Sequence, residues 1–565
     1  WASRFRRPGA PSRYFGDLHG RVWAMATHER AGQLPRASDL VDLSRLISDY
    51  YSIRPDPTDP AQRVQFGTSG HRGSASRGSF NERHLTAIVQ AVCEWRARSG
   101  ISGPMFVAKD THALSEPAWR TTLEVLASNG VEAWSAPEAD YVPTPLLSRA
   151  IVARQADHPL DGLAITPSHN PPTDGGIKYN PPHGGPAEGT VTSAIEARAN
   201  ELLATEVSKR NWVDARSRVR WFDFSTPYVQ SLAEIVDMKR IAASGIRLGA
   251  DPLGGATVGV WEPLAEQHRL NLHVVNPEVD GTFRFVPLDS DGKIRMDCSS
   301  RHAMAELVRK SGDYDLAFGN DADGDRHGIV TKQGLMNPNQ VLALAVDTLF
   351  RTRVDWRKEV GAAITVVTSD LVHRVTEAHG RSTIQTPVGF KWFVPLLLHG
   401  NVGLAGEESA GASILSFDGR PWTTDKDGIV MDLLAAEMMA RSGRDLSELY
   451  LELTQKHGVP HYRRIDAPAP PERKAVLKKL SADAIQAETL AGELIVERMV
   501  AAPGNGEPIG GLKVTTASGW FAARPSGTED VYKIYAESFR DEAHLDRLLS
   551  EARELVERAF EEAGV

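Results

Sequence analysis

Short apolar runs alternate along the chain with stretches of helical periodicity. The runs are typical of buried strands, because each is short, rich in apolar residues and ends in small or polar ones. Four of them are 162–166 (GLAIT), 246–251 (IRLGAD), 315–321 (DLAFGND) and 361–370 (GAAITVVTSD). Alternating strands and helices predict α/β domains, in which ligands bind at the carboxyl ends of the strands. No short repeat period is visible, which argues against a solenoid.

The length of 565 residues predicts roughly four domains of about 150 residues each. A helix is predicted over 225–238, where Ser or Thr caps the first turn and Pro follows, and a second domain begins there. The Pro-rich stretch 466–474 precedes a last domain with a strand at 531–538 and an amphipathic helix at 541–560. The predicted domains cover residues 25–224, 225–330, 331–460 and 461–565.

Residues 1–24 stand apart from this pattern. They carry five Arg and lack the apolar core of a signal peptide. Met25 looks like a more natural start. We therefore expect this segment to be a non-native or dispensable extension.

Composition narrows the class of protein. The chain has 64 Lys and Arg against 73 Asp and Glu, and a net charge of −9 argues against a nucleic-acid partner. Its two cysteines, Cys93 and Cys298, are too few for a disulfide framework and predict a reducing, cytoplasmic compartment. The longest apolar runs, such as 341–350, contain a charge and stop short of the roughly 20 residues that cross a membrane. We expect no membrane association.

An acidic triplet ends the apolar run at 315–321. Asp321, Asp323 and Asp325 repel one another unless a cation neutralises them, and oxygen ligands suit Mg²⁺. An EF-hand is excluded, because Arg326 and Lys332 stand where its loop requires Gly and Glu. A solvated acidic turn remains the alternative to a Mg²⁺ site.

A Pro- and Gly-rich loop follows the run at 162–166. Ser168 is flanked by prolines on both sides, which restrict its backbone. His169 and Lys178 add groups for proton transfer and positive charge. The G-x-S-x-G elbow of an α/β-hydrolase is absent, which disfavours acyl transfer. A simple turn is the alternative.

A third loop lies near the C-terminus, in residues 521–535. It offers a guanidinium, two hydroxyls and free backbone amides, which suit a phosphate dianion. These groups belong to Arg524, Ser526, Gly527 and Thr528. The Walker spacing is absent, so a nucleotide P-loop is not supported, and a capped hairpin turn is the alternative.

Weaker signals lie in three further Gly-rich or polar loops. Glu407 and Ser409 suit hydrogen bonds to a hydroxyl-rich ligand. Arg72 lies in a Gly/Ser loop that can take an anion, and Lys391 is a further cation.

Together these segments resemble the α-D-phosphohexomutase family, and within it the bacterial phosphoglucomutase branch. The resemblance covers nearly everything from about residue 25 to the end, and five motifs occur in the family's order. They are T-S-G-x-R (68–72), T-P-S-H-N-P (166–171), D-x-D-x-D-R (321–326), G-E-E-S (406–409) and R-P-S-G-T-E (524–529).

The resemblance implies three similar α/β domains followed by a smaller α+β domain, around a central active-site cleft. It implies reversible interconversion of α-D-glucose 1-phosphate and glucose 6-phosphate, with glucose 1,6-bisphosphate as intermediate and activator. Ser168 would carry the phosphoryl group and, with the three aspartates, contact Mg²⁺. His169 and Arg326 would stabilise the transfer. Lys178 would be the general base, its pKa lowered by nearby cations.

The remaining site residues would bind the substrate. Glu407 and Ser409 would contact sugar hydroxyls, Arg72 and Lys391 would supply positive charge, and the loop at 524–528 would hold the non-reacting phosphate. We expect a monomer or a homodimer. The alternatives are a phosphomannomutase or phosphoglucosamine mutase, a metal-dependent sugar phosphatase, and a non-catalytic phosphosugar sensor.

Overall fold

Four successive parts of the chain each fold around a β-sheet of their own. The computed structural model describes residues 27–67, 70–154, 159–484, 486–527 and 531–565. The predicted extension at 1–24 and the predicted phosphate ligand Thr528 lie outside these ranges, as does Thr68 of the first motif.

The first sheet has six strands. They are β1 (His71–Ser74), β2 (Met105–Lys109), β3 (Ala133–Ser135), β4 (Asp161–Ile165), β5 (Asp174–Asn180) and β6 (Arg220–Trp221). Their order is β1-β5-β4-β2-β3-β6, with β4, β2, β3 and β6 parallel and β5 and β1 antiparallel at one edge. The helices around it are α1 (Leu43–Ser52), α2 (Glu82–Arg98), α3 (Ser115–Ser128), α4 (Thr144–Val152), α5 (Gly189–Leu203) and α6 (Trp212–Arg216). The predicted strand at 162–166 is confirmed to within one residue.

The second sheet follows with mixed pairing. Its helices are α7 (Ser225–Ser231), α8 (Met238–Ser244), α9 (Val258–His268) and α10 (Ala305–Arg309). Its strands are β7 (Leu248–Asp251), β8 (Leu272–Val274), β9 (Leu316–Asn320), β10 (His327–Thr331) and β11 (Gly334–Leu335). In the order β11-β10-β9-β7-β8, the last three strands are parallel.

The single helix predicted over 225–238 is wrong. The chain leaves α7 at Ser231, passes through a 3₁₀ turn at Leu232–Glu234 and enters α8 at Met238. Asp237 begins the new helix, because its side chain accepts a hydrogen bond from the Arg240 backbone N–H.

The third sheet has four strands. They are β12 (Gly361–Thr365), β13 (Thr383–Thr386), β14 (Val402–Gly406) and β15 (Ala412–Ile414). The order is β13-β12-β14-β15, parallel except for β15. The helices are α11 (Pro338–Thr352), α12 (Asp370–Ala378), α13 (Val394–Leu398), α14 (Gly428–Ser442) and α15 (Leu446–His457). Helix α14 is almost wholly buried, because it packs on strands of both the second and the third sheet.

The last part of the chain is an antiparallel α+β domain. Its sheet contains β16 (His461–Pro468), β19 (Glu497–Ala501), β20 (Pro508–Thr515), β21 (Gly519–Pro525) and β22 (Val531–Ser538) in the order β16-β22-β21-β20-β19. A small hairpin is formed by β17 (Thr489–Leu490) and β18 (Glu493–Leu494), and the helices are α16 (Pro471–Lys478) and α17 (Glu542–Glu562). The predicted strand at 531–538 and the predicted amphipathic helix at 541–560 are confirmed.

The apolar cores show how the domains are joined. One core runs continuously through the first three domains, from Phe106 through Trp261 and Phe318 to Leu404. The last domain has its own core, and a smaller cluster around Val367 and Trp520 joins it to the third domain. Among the helices that the structure describes, none is long and apolar enough to cross a membrane. The first three domains thus form one packed unit, which the last domain joins through a narrower contact.

Candidate active site

A cleft of about 1230 Å³ lies where loops from all four domains converge. Ten predicted site residues line it: Arg72, Ser168, His169, Asp325, Arg326, Glu407, Ser409, Arg524, Ser526 and Gly527. Lys178, Asp321 and Asp323 are buried just behind this lining: Asp321 bonds to Ser168, and Lys178 bonds to Asp325 and Asp323. Lys391 is not among the described lining residues, and its Nζ lies 5.0 Å from the Trp392 ring centroid.

Ser168 lies in the turn that follows β4 and is almost fully buried. Its φ of 60° is in the left-handed region, which costs a residue with a side chain about 1–3 kcal/mol. The backbone N–H of Ser168 donates to Thr166 Oγ1 at 2.8 Å, which holds this conformation. Its hydroxyl donates to Asp321 Oδ2 at 2.7 Å and lies 3.4 Å from His169 Nδ1. The turn therefore directs the Ser168 hydroxyl at the acidic triplet.

The three aspartates follow β9 and are all buried, so the alternative of a solvated acidic turn is wrong. One oxygen of each lies within 4.8 Å of the others. Burial, and then the charges of Asp323 and Asp325, raise the pKa of Asp321 well above its usual value. Among the described residues, Asp323 Oδ1 and Asp325 Oδ1 have no hydrogen-bond partner. A buried oxygen-only set with two unsatisfied oxygens fits a hard divalent cation.

Lys178 projects from β5 towards the same carboxylates. Its Nζ donates to Asp323 Oδ2 at 2.6 Å and to Asp325 Oδ2 at 3.0 Å. Burial lowers the pKa of Lys178, but the two carboxylates raise it more, and the net direction is upward. The nearby Lys426 lowers this pKa, as expected of a cation, but without a bound metal the two carboxylates outweigh it. Lys178 is held as an ammonium in this arrangement.

His169 and Arg326 both line the cleft near the Ser168 hydroxyl. Burial, and then the charge of Arg326, hold the pKa of His169 well below its usual value, so this imidazole is neutral. The Arg326 backbone N–H donates to Asp321 Oδ1 at 3.1 Å, and its Nε lies 3.8 Å from Asp325 Oδ1. A neutral imidazole and a guanidinium at one cleft wall suit a phosphoryl group.

The loop after β14 presents Glu407 and Ser409 to the cleft. Glu407 Oε1 accepts a hydrogen bond from the Gly389 backbone N–H at 3.0 Å. Burial raises the pKa of Glu407 to about 7, although the nearby Lys426 ammonium opposes this. A buried acceptor of this kind is suited to a ligand that brings hydroxyl donors.

The loop after β21 supplies positive charge from the last domain. Arg524 is the last residue but one of this strand, and the Ser526 backbone N–H donates to Val531 O at 2.8 Å, which closes the loop. Arg464 on β16 adds a second guanidinium to the lining, and its Nε lies 2.9 Å from Asp466 Oδ1. This wall of the cleft is suited to an anion.

The sequence interpretation missed several cleft residues. The most central is Lys426, whose Nζ lies 3.2 Å from Asp325 Oδ2. Its signal was the polar run at 423–428 (TTDKDG), directly before an almost wholly apolar helix. Arg464 and Lys533 lie on strands of the last domain, where alternating polar residues gave no separate signal.

Comparisons with known proteins agree with this geometry. Four family models match, described as phosphoglucomutase/phosphomannomutase α/β/α domains I, II and III and C-terminal domain, over residues 63–206, 226–334, 337–457 and 472–555. A phosphoglucomutase of Komagataeibacter xylinus is 50% identical over 543 residues, which cover 94% of this chain and 98% of the relative. A phosphoglucomutase/phosphomannomutase of Thermococcus kodakarensis is 26% identical, covering 84% and 95%. A solved phosphoglucomutase/phosphomannomutase family protein from Burkholderia thailandensis shares the fold, with a TM-score of 0.65, 22% identity and coverage of 88% and 98%.

Proposed function

The chain belongs to the phosphoglucomutase/phosphomannomutase family, and we propose that Ser168 is the residue through which it interconverts α-D-glucose 1-phosphate and glucose 6-phosphate. The observation that carries the proposal is the Ser168 hydroxyl, held 2.7 Å from Asp321 Oδ2 beside a cleft that all four domains line. A covalent phosphoserine splits the transfer into two steps that share one site. Glucose 1,6-bisphosphate is the intermediate, and added in trace amounts it activates the enzyme.

The residues around Ser168 fit the handling of charge and protons in this transfer. When bound by Asp321, Asp323 and Asp325, Mg²⁺ would offset both the charge of the phosphoryl group and the carboxylates that hold Lys178 protonated. With these carboxylates offset, Lys178 gives up its own proton to solvent, and as the free amine it takes the proton of the attacking sugar hydroxyl. His169 and Arg326 donate hydrogen bonds to the phosphoryl oxygens.

Binding of the sugar is assigned to the other two loops. Glu407 and Ser409 contact sugar hydroxyls, whereas Arg524, Ser526 and Gly527 hold the phosphate that does not react. Since the bisphosphate must turn around in the cleft, either phosphate has to fit this loop. Arg72, at the first domain's side of the cleft, adds charge for the reacting phosphate. Lys391 and Thr528 stay predictions for substrate binding.

A coupled assay separates this function from its alternatives. The enzyme is given glucose 1-phosphate, Mg²⁺ and trace glucose 1,6-bisphosphate, beside the mannose and glucosamine 1-phosphates. We expect glucose 1-phosphate to be turned over fastest and inorganic phosphate to stay at background. Preference for another sugar would identify a phosphomannomutase or phosphoglucosamine mutase, net phosphate release a phosphatase, and no turnover a sensor.

We also propose a compartment and an oligomeric state for the enzyme. Cys93 and Cys298 are buried free thiols, which supports a reducing, cytoplasmic compartment. All four loops of the cleft come from one chain, so a monomer is sufficient for the reaction. A monomer or a homodimer is consistent with this.

A further inference from the structure

A buried hydrogen-bond network lies behind the Ser168 loop. It begins at Asp110, which follows β2 and is placed beside the end of β4 by a hydrogen bond from its backbone N–H to Ile165 O at 3.1 Å. Thr166 Oγ1 donates to Asp110 Oδ2 at 2.6 Å and accepts from the Ser168 backbone N–H at 2.8 Å. A chain of two hydrogen bonds therefore links the Asp110 carboxyl group to the backbone of Ser168.

Among the described residues, the Asp110 carboxyl group is surrounded by hydrogen-bond donors. Besides Thr166, its carboxyl group accepts from Ser115 Oγ at 2.5 Å, from the His112 backbone N–H at 3.0 Å and from His112 Nδ1 at 2.8 Å. The Thr166 hydroxyl has a single proton, which is given to Asp110 because the Ser168 N–H can only donate. Three of these donors are fixed, namely the Thr166 and Ser115 hydroxyls and the His112 backbone N–H, and this environment suits a carboxylate.

His112 is the cation that pairs with it. Its Nδ1 faces the Asp110 carboxylate, and its Nε2 lies 3.0 Å from the backbone carbonyl oxygen of Asn170. The carbonyl oxygen only accepts, so Nε2 carries hydrogen, and the carboxyl group that faces Nδ1 already accepts from three fixed donors, which favours hydrogen on Nδ1 as well and an imidazolium ring. Burial lowers the pKa of His112, but the charges of Asp110 and then Asp174 raise it, and the net direction is upward. On the side of the second domain, the His112 ring packs against the apolar Phe283 ring, with 5.0 Å between the two ring centroids.

We propose that the buried Asp110–His112 ion pair positions Ser168 for phosphoryl transfer. Asp110 holds the backbone before the serine through Thr166, and His112 holds the backbone after it through Asn170 O. Both attachments are needed because the left-handed backbone conformation of Ser168 is strained. An unrestrained loop would relax out of that conformation. Neither Asp110 nor His112 is among the described residues that line the cleft, so both act as positioning residues.

The test uses the whole enzyme with three variants, Asp110→Asn, His112→Gln and the double variant. Thr122→Val is the matched control, since it removes a buried hydroxyl that bonds to Ala118 O in α3, outside the network. We expect each single variant to lower kcat about 10–100-fold while KM changes less than about 3-fold. The double variant should lose about as much as the worse single variant, because the pair acts as a unit. The control should keep kcat within about 2-fold.

Two further readouts separate positioning from general destabilisation. The rate at which glucose 1,6-bisphosphate phosphorylates Ser168 is followed by intact-protein mass spectrometry, with the melting temperature measured on the same samples. Folded variants that phosphorylate Ser168 at the wild-type rate would overturn the proposal. It would also be overturned if the fold-loss of kcat in the double variant equalled the product of the two single losses. If the ion-pair variants fail to fold, Thr166→Val is compared with Thr166→Ser instead. Val removes the hydroxyl that links Asp110 to the Ser168 backbone, whereas Ser keeps it. Equal phosphorylation rates in these two variants would overturn the proposal.

The inference rests on the proposed role of Ser168, and the mass readout distinguishes the two. If wild-type enzyme gains no phosphate on Ser168, the proposed function fails. If wild-type Ser168 is phosphorylated and the folded variants match its rate, only the positioning role fails.

Discussion

Replacing Glu407 with Gln should stabilise the enzyme at alkaline pH while impairing its activity. Glu407 is buried beside the cleft, and burial raises the pKa of its carboxyl group to about 7 from the 4.5 of an exposed glutamate. The amide of Gln has nearly the same shape and is neutral at every pH. Its oxygen can still accept the hydrogen bond from the Gly389 backbone N–H.

The magnitude follows from the difference between the two pKa values. Below pH 4.5 the carboxyl group is protonated in both the folded and the unfolded chain, so it makes no difference to stability. Between 4.5 and 7 the folded state binds more protons than the unfolded state, so the free energy of unfolding falls as the pH rises. Above pH 7 the full cost is present, and at about 1.4 kcal/mol for each pKa unit it amounts to about 3 kcal/mol.

The assay is thermal unfolding of wild type and Glu407→Gln at pH 5 and pH 8.5, without added metal. We expect the melting temperature of the variant to exceed that of wild type by several degrees at pH 8.5, at most about 10 °C, and by little at pH 5. Glu266→Gln, an exposed residue on α9, is the control for the substitution itself. A gain that is the same at both pH values, or no gain at pH 8.5, would refute the reasoning. In the glucose assay, kcat/KM of Glu407→Gln should fall about 10–100-fold.

Three further predictions concern the other parts of the site. Lys178→Met should lower kcat by at least about 100-fold, measured in the coupled assay, because it removes the proposed base for the sugar hydroxyl. A loss below 10-fold would exclude Lys178 as the base. Chelation should abolish turnover and Mg²⁺ should restore it, whereas Asp323→Asn should bind Mg²⁺ more weakly by calorimetry; turnover in chelator would contradict the metal site. Galactose 1-phosphate should have a kcat/KM roughly 10³-fold or more below that of glucose 1-phosphate, because its misplaced hydroxyl leaves polar groups of the Glu407 loop unpaired; galactose 1-phosphate reacting faster than mannose 1-phosphate would show that this loop is assigned wrongly.

Strands were predicted well where a run of buried apolar residues marks them in the sequence. The runs at 531–538 and 162–166 are mostly apolar, and the structure forms one strand over Val531–Ser538 and another over Asp161–Ile165. The helix at 225–238 was predicted too long, because Leu232, Ile235 and Val236 are all buried across the break. Apolar periodicity therefore continues where the helix does not, and only the cap at Asp237 marks the new start.

The candidate site was predictable in its residue types but not in its pairings. Ser168 and the acidic triplet stand at strand ends in the sequence, yet the Ser168–Asp321 hydrogen bond joins residues 153 positions apart. The direction of the pKa of Lys178 depends on carboxylates contributed by another domain, which local sequence cannot show. Lys426 was missed for the same reason, since its role appears only when the third domain meets Asp325.

The central claim is that Ser168 carries the phosphoryl group between substrate and product. The most direct test is peptide mass spectrometry of the enzyme after incubation with Mg²⁺ and glucose 1,6-bisphosphate whose phosphates carry ¹⁸O, followed by a chase with unlabelled glucose 1-phosphate. The account predicts one labelled phosphate per chain on Ser168, which unlabelled phosphate replaces during the chase as the label passes to the sugar, and no such phosphate in Ser168→Ala. Phosphate on a different residue, or wild-type turnover in Ser168→Ala, would contradict it.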